Sequence, residues 1–186
     1  AGLDALKELV DKRITGAGDF LGPLVSIRAV YGENIGQWRN GVAYRNTHSA
    51  HADQGGGLFL DRIHEIQIAR WLLGEPSSVY ATTSKRTELD TDVEDVAEAL
   101  LDFGGIPYSI HLDMVRRLYH MSLEVTFEQD VADWYHRPDL PIDRDGPFIN
   151  QVNHWLRVFN GSQEPVHTIE DGYEDLRVAL ACYKSS

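Results

Sequence analysis

The chain has 186 residues, one domain's length and enough to close a core, with ordinary apolar (42%) and charged (25%) fractions. A net charge of −12, with four lysines against thirteen arginines, argues against a nucleic-acid partner, because phosphate binding needs clustered bases. No apolar run approaches the ~20 residues of a membrane span, the first residues lack a signal-peptide pattern, and the single Cys182 excludes an internal disulfide framework, so a cytoplasmic setting is expected.

Leu3, Leu6, Leu9 and Val10 recur at helical spacing and predict an amphipathic helix ending near Thr15-Gly16. The glycine-rich run from Gly16 to Gly22 approaches a dinucleotide-binding fingerprint. That fingerprint follows a strand and opens a helix, whereas here the order is reversed, so the run reads as a connector. Val25, Ile27, Ala29 and Tyr31 alternate with Ser26 and Arg28 as a strand. Residues 32–54 show no clean period, and Trp38 and Tyr44 favour a functional loop over a disordered one.

Residues 57–73 read as one helix that is apolar on most sides, hence buried, and Gly74 and Pro76 end it. Strand patterns follow over 79–83, 93–103, 108–114, 121–128 and 131–136, with Gly104-Gly105 as a hairpin turn. Consecutive strands are expected to pair antiparallel. Two helices close the chain, one with a stripe of Phe148, Val152, Trp155, Leu156 and Phe159, the other with Tyr173, Leu176, Leu180 and Tyr183. Thr168 and Asp171 form a capping box ahead of the second. The expected fold is α+β, a largely antiparallel open β-sheet with helices packed on one face.

Chemistry concentrates where Gly55, Gly56 and Gly57 lead into the 57–73 helix. Three glycines let the backbone come close to a ligand or to another backbone. Asp61 and His64, three apart, share a helix face, and a histidine beside a carboxylate suits proton transfer. Equally, His64 can be a satisfied core histidine and Asp61 a charge favoured by the helix dipole. His48, His51, Asp53, Asp61 and His64 offer ligands that zinc accepts, but their spacing matches no dedicated zinc motif and no metal is expected. His111, His120, His136, His154 and His167 read as solvated or simply hydrogen-bonded, Glu94-Asp95 as the end of a turn, and Cys182 as a packing residue.

Gly55-Gly56-Gly57 with Asp61 and His64, then Arg70-Trp71-Leu72-Leu73-Gly74, resembles the C-terminal domain of the glucose–fructose oxidoreductase/inositol dehydrogenase/MocA (Gfo/Idh/MocA) family. Val93-Glu94-Asp95-Val96, His111-Leu112-Asp113 and Ile169-Glu170-Asp171-Gly172 extend the resemblance in order over most of the chain. It implies that residues 1–186 are a substrate-binding and oligomerisation domain whose N-terminal Rossmann partner, the holder of NAD or NADP, lies outside this chain. No cofactor is then expected for the chain alone, which would be inactive by itself. The resemblance makes His64 the catalytic histidine and Asp61 its orienting or substrate-contacting partner. Trp38, Arg39, Tyr44, Arg45, Gly56 and Gly57 become substrate contacts. The substrate is a small hydroxy compound such as a sugar or polyol, and a homodimer or tetramer forms through the open sheet face. Many members space the aspartate and histidine four apart, where this chain has three. The alternatives are a non-catalytic dimerisation or sugar-binding module on the same fold and, further off, a His/Asp metal-dependent enzyme.

Overall fold

A computed structural model describes residues 2–14, 21–39, 41–136 and 145–186. The glycine run read as a connector falls almost wholly outside them, at 15–20. In chain order come α1 (Gly2–Ile14), β1 (Leu24–Gly32), four short 3-10 turns between Ile35 and Gln54, α2 (Leu58–Asp61) and α3 (Ile63–Leu73). Strands β2 (Ser78–Ser84), β3 (Val96–Phe103), β4 (Ile106–Asp113), β5 (His120–Phe127) and β6 (Val131–Tyr135) follow, then α4 (Gly146–Phe159) and α5 (Ile169–Ser185). The chain forms two compact units, one of residues 1–136 with 175–186 and one of residues 137–174.

The expected α+β class holds: the first unit is built on a six-stranded sheet of order β2-β3-β4-β1-β5-β6. The expectation that consecutive strands pair needs one correction. β4 and β5 are neighbours in sequence but not in the sheet, because β1 lies between them, parallel to β4 and antiparallel to β5. β1 carries Ile27, Ala29 and Tyr31, all buried, and a strand so apolar on one face belongs in the middle of the sheet. Gly104 and Gly105, both at positive φ, make the β3–β4 turn as expected.

Strand alternation sorts the sheet into two faces. Across the register, Ala81, Ala99, Ile110, Ala29 and Leu123 form one continuous row on the helix side, and Leu101, Tyr108, Ile27 and Val125 form the next. All of these are buried. Leu6 and Val10 of α1, Ile66, Ala69 and Leu72 of α3, and Val178, Ala179 and Cys182 of α5 complete the same core. On the other face run Tyr80, Leu100, Ser109, Arg28, Glu124 and Asp133, and beside them Thr82, Glu98, His111, Val30, Ser122 and Tyr135. Cys182 packs in the core as read, its thiol pushed up to about 12 by burial.

The 57–73 helix is in fact two. Arg62 takes φ −116 and ψ 35, outside the helical region, and breaks α2 from α3. The break turns its guanidinium between two aromatic faces, 4.3 Å from the Tyr31 ring centroid and 3.9 Å from that of Trp38. The second unit holds α4 and the first turn of α5. There the capping box forms: Asp171 Oδ2 accepts from Thr168 N and Oγ1 at 2.9 and 2.8 Å, and Asp171 N donates to Thr168 Oγ1 at 3.1 Å. Among the described residues no helix is long and apolar enough to cross a membrane.

Glu65, one turn into α3, is buried with 3% of its surface exposed. Burial pushes its carboxyl up to about 7, against the opposing pull of the Arg62 guanidinium. Below it, the Tyr108 hydroxyl is buried with no hydrogen-bond partner among the described residues. A carboxyl whose folded value is raised binds its proton more tightly in the folded state, so its ionisation draws stability down as pH climbs from about 4.5 to about 7. Glu65→Gln keeps the shape and removes the charge. It should raise stability above pH 7 by on the order of 2–3 kcal/mol and change little near pH 4.5. Chemical denaturation at the two pH values measures this; an equal effect at both would show that Glu65 ionisation carries no such cost.

Candidate active site

Residues 33–39 and 41–57 form a wall of short turns held by polar groups of the chain. Asn34 Oδ1 accepts from Gly36 N at 2.9 Å, and Trp38 Nε1 donates to the Glu33 carbonyl at 3.2 Å. Tyr44 is partly buried against the core, and its hydroxyl accepts from Asp90 N at 3.1 Å. Arg45 is exposed, 3.8 Å from Asp90. Such side-chain-to-backbone bonds let a segment without regular structure hold one shape.

The glycines owe their identity to close packing. A Cβ on Gly56 would stand 2.4 Å from the His48 carbonyl oxygen and 2.8 Å from those of Ser49 and His51. Gly57 takes φ 119, and a Cβ there would stand 2.3 Å from the Tyr183 hydroxyl. Immediately beyond, Leu58 N donates to Glu94 Oε1 at 2.7 Å and Phe59 N to the Tyr183 hydroxyl at 3.2 Å, while that hydroxyl donates to Glu94 Oε1 at 2.6 Å. The open N-terminus of α2 is thus satisfied by one carboxylate and one phenol. Glu94 therefore does more than end a turn. Asp95 does end one, accepting from Arg86 N, Thr87 N and Thr87 Oγ1 at 2.7 Å each.

Asp61, the last residue of α2, is brought to Ser49 and His48 and not to His64. Ser49 Oγ donates to Asp61 Oδ1 at 3.0 Å, and His48 Nε2 stands 3.3 Å from the same oxygen. Oδ2 is buried with no hydrogen-bond partner among the described residues. Arg39 approaches His48, its Nη2 3.4 Å from Nδ1. His64, on the first turn of α3, is exposed, and its Nδ1 lies 3.2 Å from Gln67 Oε1. The shared helix face expected for Asp61 and His64 is lost because Arg62 interrupts the helix between them.

Spacing gave no sign of Arg62. It joins Trp38 to Tyr31, and its Nη2 stands 3.6 Å from Glu33, which accepts from the Tyr31 hydroxyl at 2.7 Å. Ser49 and Glu33 were equally silent, being ordinary loop residues until the fold carries them to Asp61 and Arg62. A cavity of about 500 Å³ borders the glycine turn, lined by Gly56, Thr83, Lys85, Asp92, Glu94 and Tyr183 among others. Of the expected site residues only Gly56 lines it.

This arrangement of glycine turn, broken helix and half-covered sheet can be set beside known proteins. Residues 5–133 match the model of the GFO/IDH/MocA C-terminal domain. The chain belongs to that family. Among solved structures, GenD2 from gentamicin A biosynthesis in complex with NAD superposes with a TM-score of 0.78 at 20% identity, over 99% of this chain and 58% of that one. The myo-inositol 2-dehydrogenase of Lactobacillus plantarum gives 0.76 at 21%, over 100% and 59%. The WlbA dehydrogenase of Bordetella pertussis, in complex with NADH and UDP-GlcNAcA, gives 0.74 at 22%, over 96% and 56%. At these identities the likeness shows the fold. The chain spans less than two thirds of the length of each. A search among curated proteins finds no sequence match.

The two glycines make a direct test of the packing account. Gly56→Ala forces a Cβ into three backbone carbonyls and should cost about 2–3 kcal/mol. At Gly55 a Cβ meets nothing within 4 Å, and only the left-handed backbone at φ 80 resists. Gly55→Ala should therefore cost about 1 kcal/mol. Thermal or urea unfolding of both variants checks the order; equal losses would contradict it.

Proposed function

We propose that this chain is the substrate-binding domain of an oxidoreductase that acts on a CH–OH group of a sugar, polyol or related hydroxy compound, with NAD or NADP held by a separate Rossmann domain. The observation that carries the reading is Asp61. A buried carboxylate oxygen without a donor among the described residues is costly to maintain, and a turn of the carboxylate that brought Oδ2 to the surface would let a substrate hydroxyl supply one while Ser49 and His48 hold Oδ1. His64, one turn along and exposed, is the proton acceptor in this reading, and Trp38, Arg39, Tyr44 and Arg45 form the wall on which the substrate rests. Trp38 offers a ring face for a sugar.

The described residues do not fit a dinucleotide. At their one glycine turn that opens a helix, Gly55–Gly57, the Leu58 and Phe59 N–H groups that follow are taken by Glu94 and Tyr183, and a carboxylate there repels a pyrophosphate. What this chain contributes is hydroxyl binding and proton transfer. The sheet face with Tyr80, Leu100, Arg28, Glu124 and Tyr135 is the assembly surface in the same reading.

One observation favours a second reading, a sugar-binding module without turnover: His64 is not held by Asp61. Kinetics on the full-length protein separate the two. In the oxidoreductase reading, His64→Ala lowers kcat by about 10²–10⁴-fold with a smaller change in KM, and Asp61→Asn raises KM. Full turnover in His64→Ala would remove His64 from the chemistry, and polyol binding with no nicotinamide reduction in the wild type would favour the module. For the assembly surface, sedimentation at micromolar concentration should show a dimer or larger species that Leu100→Arg dissociates; a monomeric wild type would overturn it.

A further inference from the structure

A second group of polar side chains lies outside the Asp61 site. His51, Asp53 and Asp92 each offer a ligand atom, and these atoms all lie within 4.8 Å of one another. Two of the three are oriented from behind by the backbone. His51 Nε2 lies 2.7 Å from the Arg45 carbonyl oxygen, which can only accept, so Nε2 is the protonated nitrogen. In the neutral ring this leaves the lone pair on Nδ1, which stands 3.7 Å from Asp92 Oδ2. Asp92 is likewise held by its other oxygen, since Oδ1 accepts from Ala52 N at 2.6 Å. Two acceptors thus face each other, each fixed through its far side, and a third carboxylate stands beside them. A ring held by its distal N–H and a ligating carboxylate that is itself hydrogen-bonded are the outer-shell features of metal sites.

We propose that His51 Nδ1, Asp53 and Asp92 Oδ2 bind a divalent transition metal of the zinc class. One imidazole and two carboxylates suit Zn²⁺ and Co²⁺, with water completing the tetrahedron. Asp53 is exposed and can turn to close the ligand spacing. Asp92 also lines the 500 Å³ cavity bordering the glycine turn, which leaves room for water on the metal. Sequence spacing does not reveal the group, because Asp92 comes forty residues after Ala52, to which it is bonded. His48 is drawn off to Asp61 and His64 to Gln67, so of the five residues that looked like one ligand set only His51 and Asp53 stay together here. The site is independent of the oxidoreductase reading, and its test needs no substrate.

The test uses the untagged chain, stripped with chelator and titrated with Zn²⁺ by calorimetry and with Co²⁺ by visible absorption. One equivalent should bind, with Co²⁺ developing the visible bands of a low-symmetry site. Asp92→Asn keeps the acceptor for Ala52 N and removes the ligand oxygen, and His51→Ala removes the nitrogen; each should weaken binding at least tenfold, while His48→Ala leaves it unchanged. Circular dichroism of each variant confirms that the loop's change has not unfolded the domain. Absence of binding at 100-fold excess metal, or binding lost in His48→Ala and kept in Asp92→Asn, would overturn the assignment.

Discussion

Glu94 Oε1 takes two hydrogen bonds at once, from Leu58 N and from the Tyr183 hydroxyl, and that hydroxyl in turn accepts from Phe59 N. The position of the candidate site follows from this junction. It ties the approach to β3, the start of α2 and the end of α5 at one point, three segments far apart in sequence. A four-residue helix cannot hold itself, since nucleation fixes several residues for each bond gained. α2 therefore exists because its first N–H groups meet a carboxylate and a phenol. Gly57 has to be glycine because the same phenol occupies the space of its Cβ. Further along α5, the Arg70–Asp175 ion pair joins it to α3, both side chains under a tenth exposed, and Glu75 pairs with the same guanidinium.

With α2 so placed, the break at Arg62 separates Asp61 from His64. A continuous helix would have carried Asp61 and His64 up one face. Instead Arg62 leaves the helix and lies between Tyr31 and Trp38, and Asp61 turns toward the 3-10 segment, where His48 and Ser49 meet it. The cation–aromatic stack compensates for the break in backbone bonding and in doing so anchors Trp38, the aromatic face of the proposed substrate wall. The local exception to regular structure and the proposed chemistry occupy the same few residues.

The fold was legible where side chains repeat with the period of their element. The alternation along β4 and β5, the Gly104-Gly105 turn and the Thr168–Asp171 box all form as read. The central place of β1 was not legible, because a strand met early in the chain carries no mark of partners eighty to a hundred residues away. Nor was the Arg62 break, since every residue from Leu58 to Leu73 tolerates a helix, and the interruption comes from what Trp38 and Tyr31 offer outside it. Among the site residues, Asp61 was visible from its neighbours in the glycine run. Its contacts, His48 and Ser49, were visible only as loop residues of a suitable type.

The three arginines gathered around this wall are not equivalent. Arg62 has Glu33 within 3.6 Å and two rings against it, and Arg45 has Asp90 at 3.8 Å. Each is thereby committed to holding the loop. Arg39 is exposed, and the neighbour it reaches is an imidazole and not a carboxylate. A guanidinium has five donors in a rigid fork, and a single contact of 3.4 Å with a ring nitrogen uses few of them. His48 links Arg39 to Asp61, its Nε2 standing 3.3 Å from Oδ1. Of the arginines expected to meet a substrate, Arg39 is the one whose surroundings leave it the donors to do so. In the proposed reading Arg45 and Arg62 act by fixing the wall.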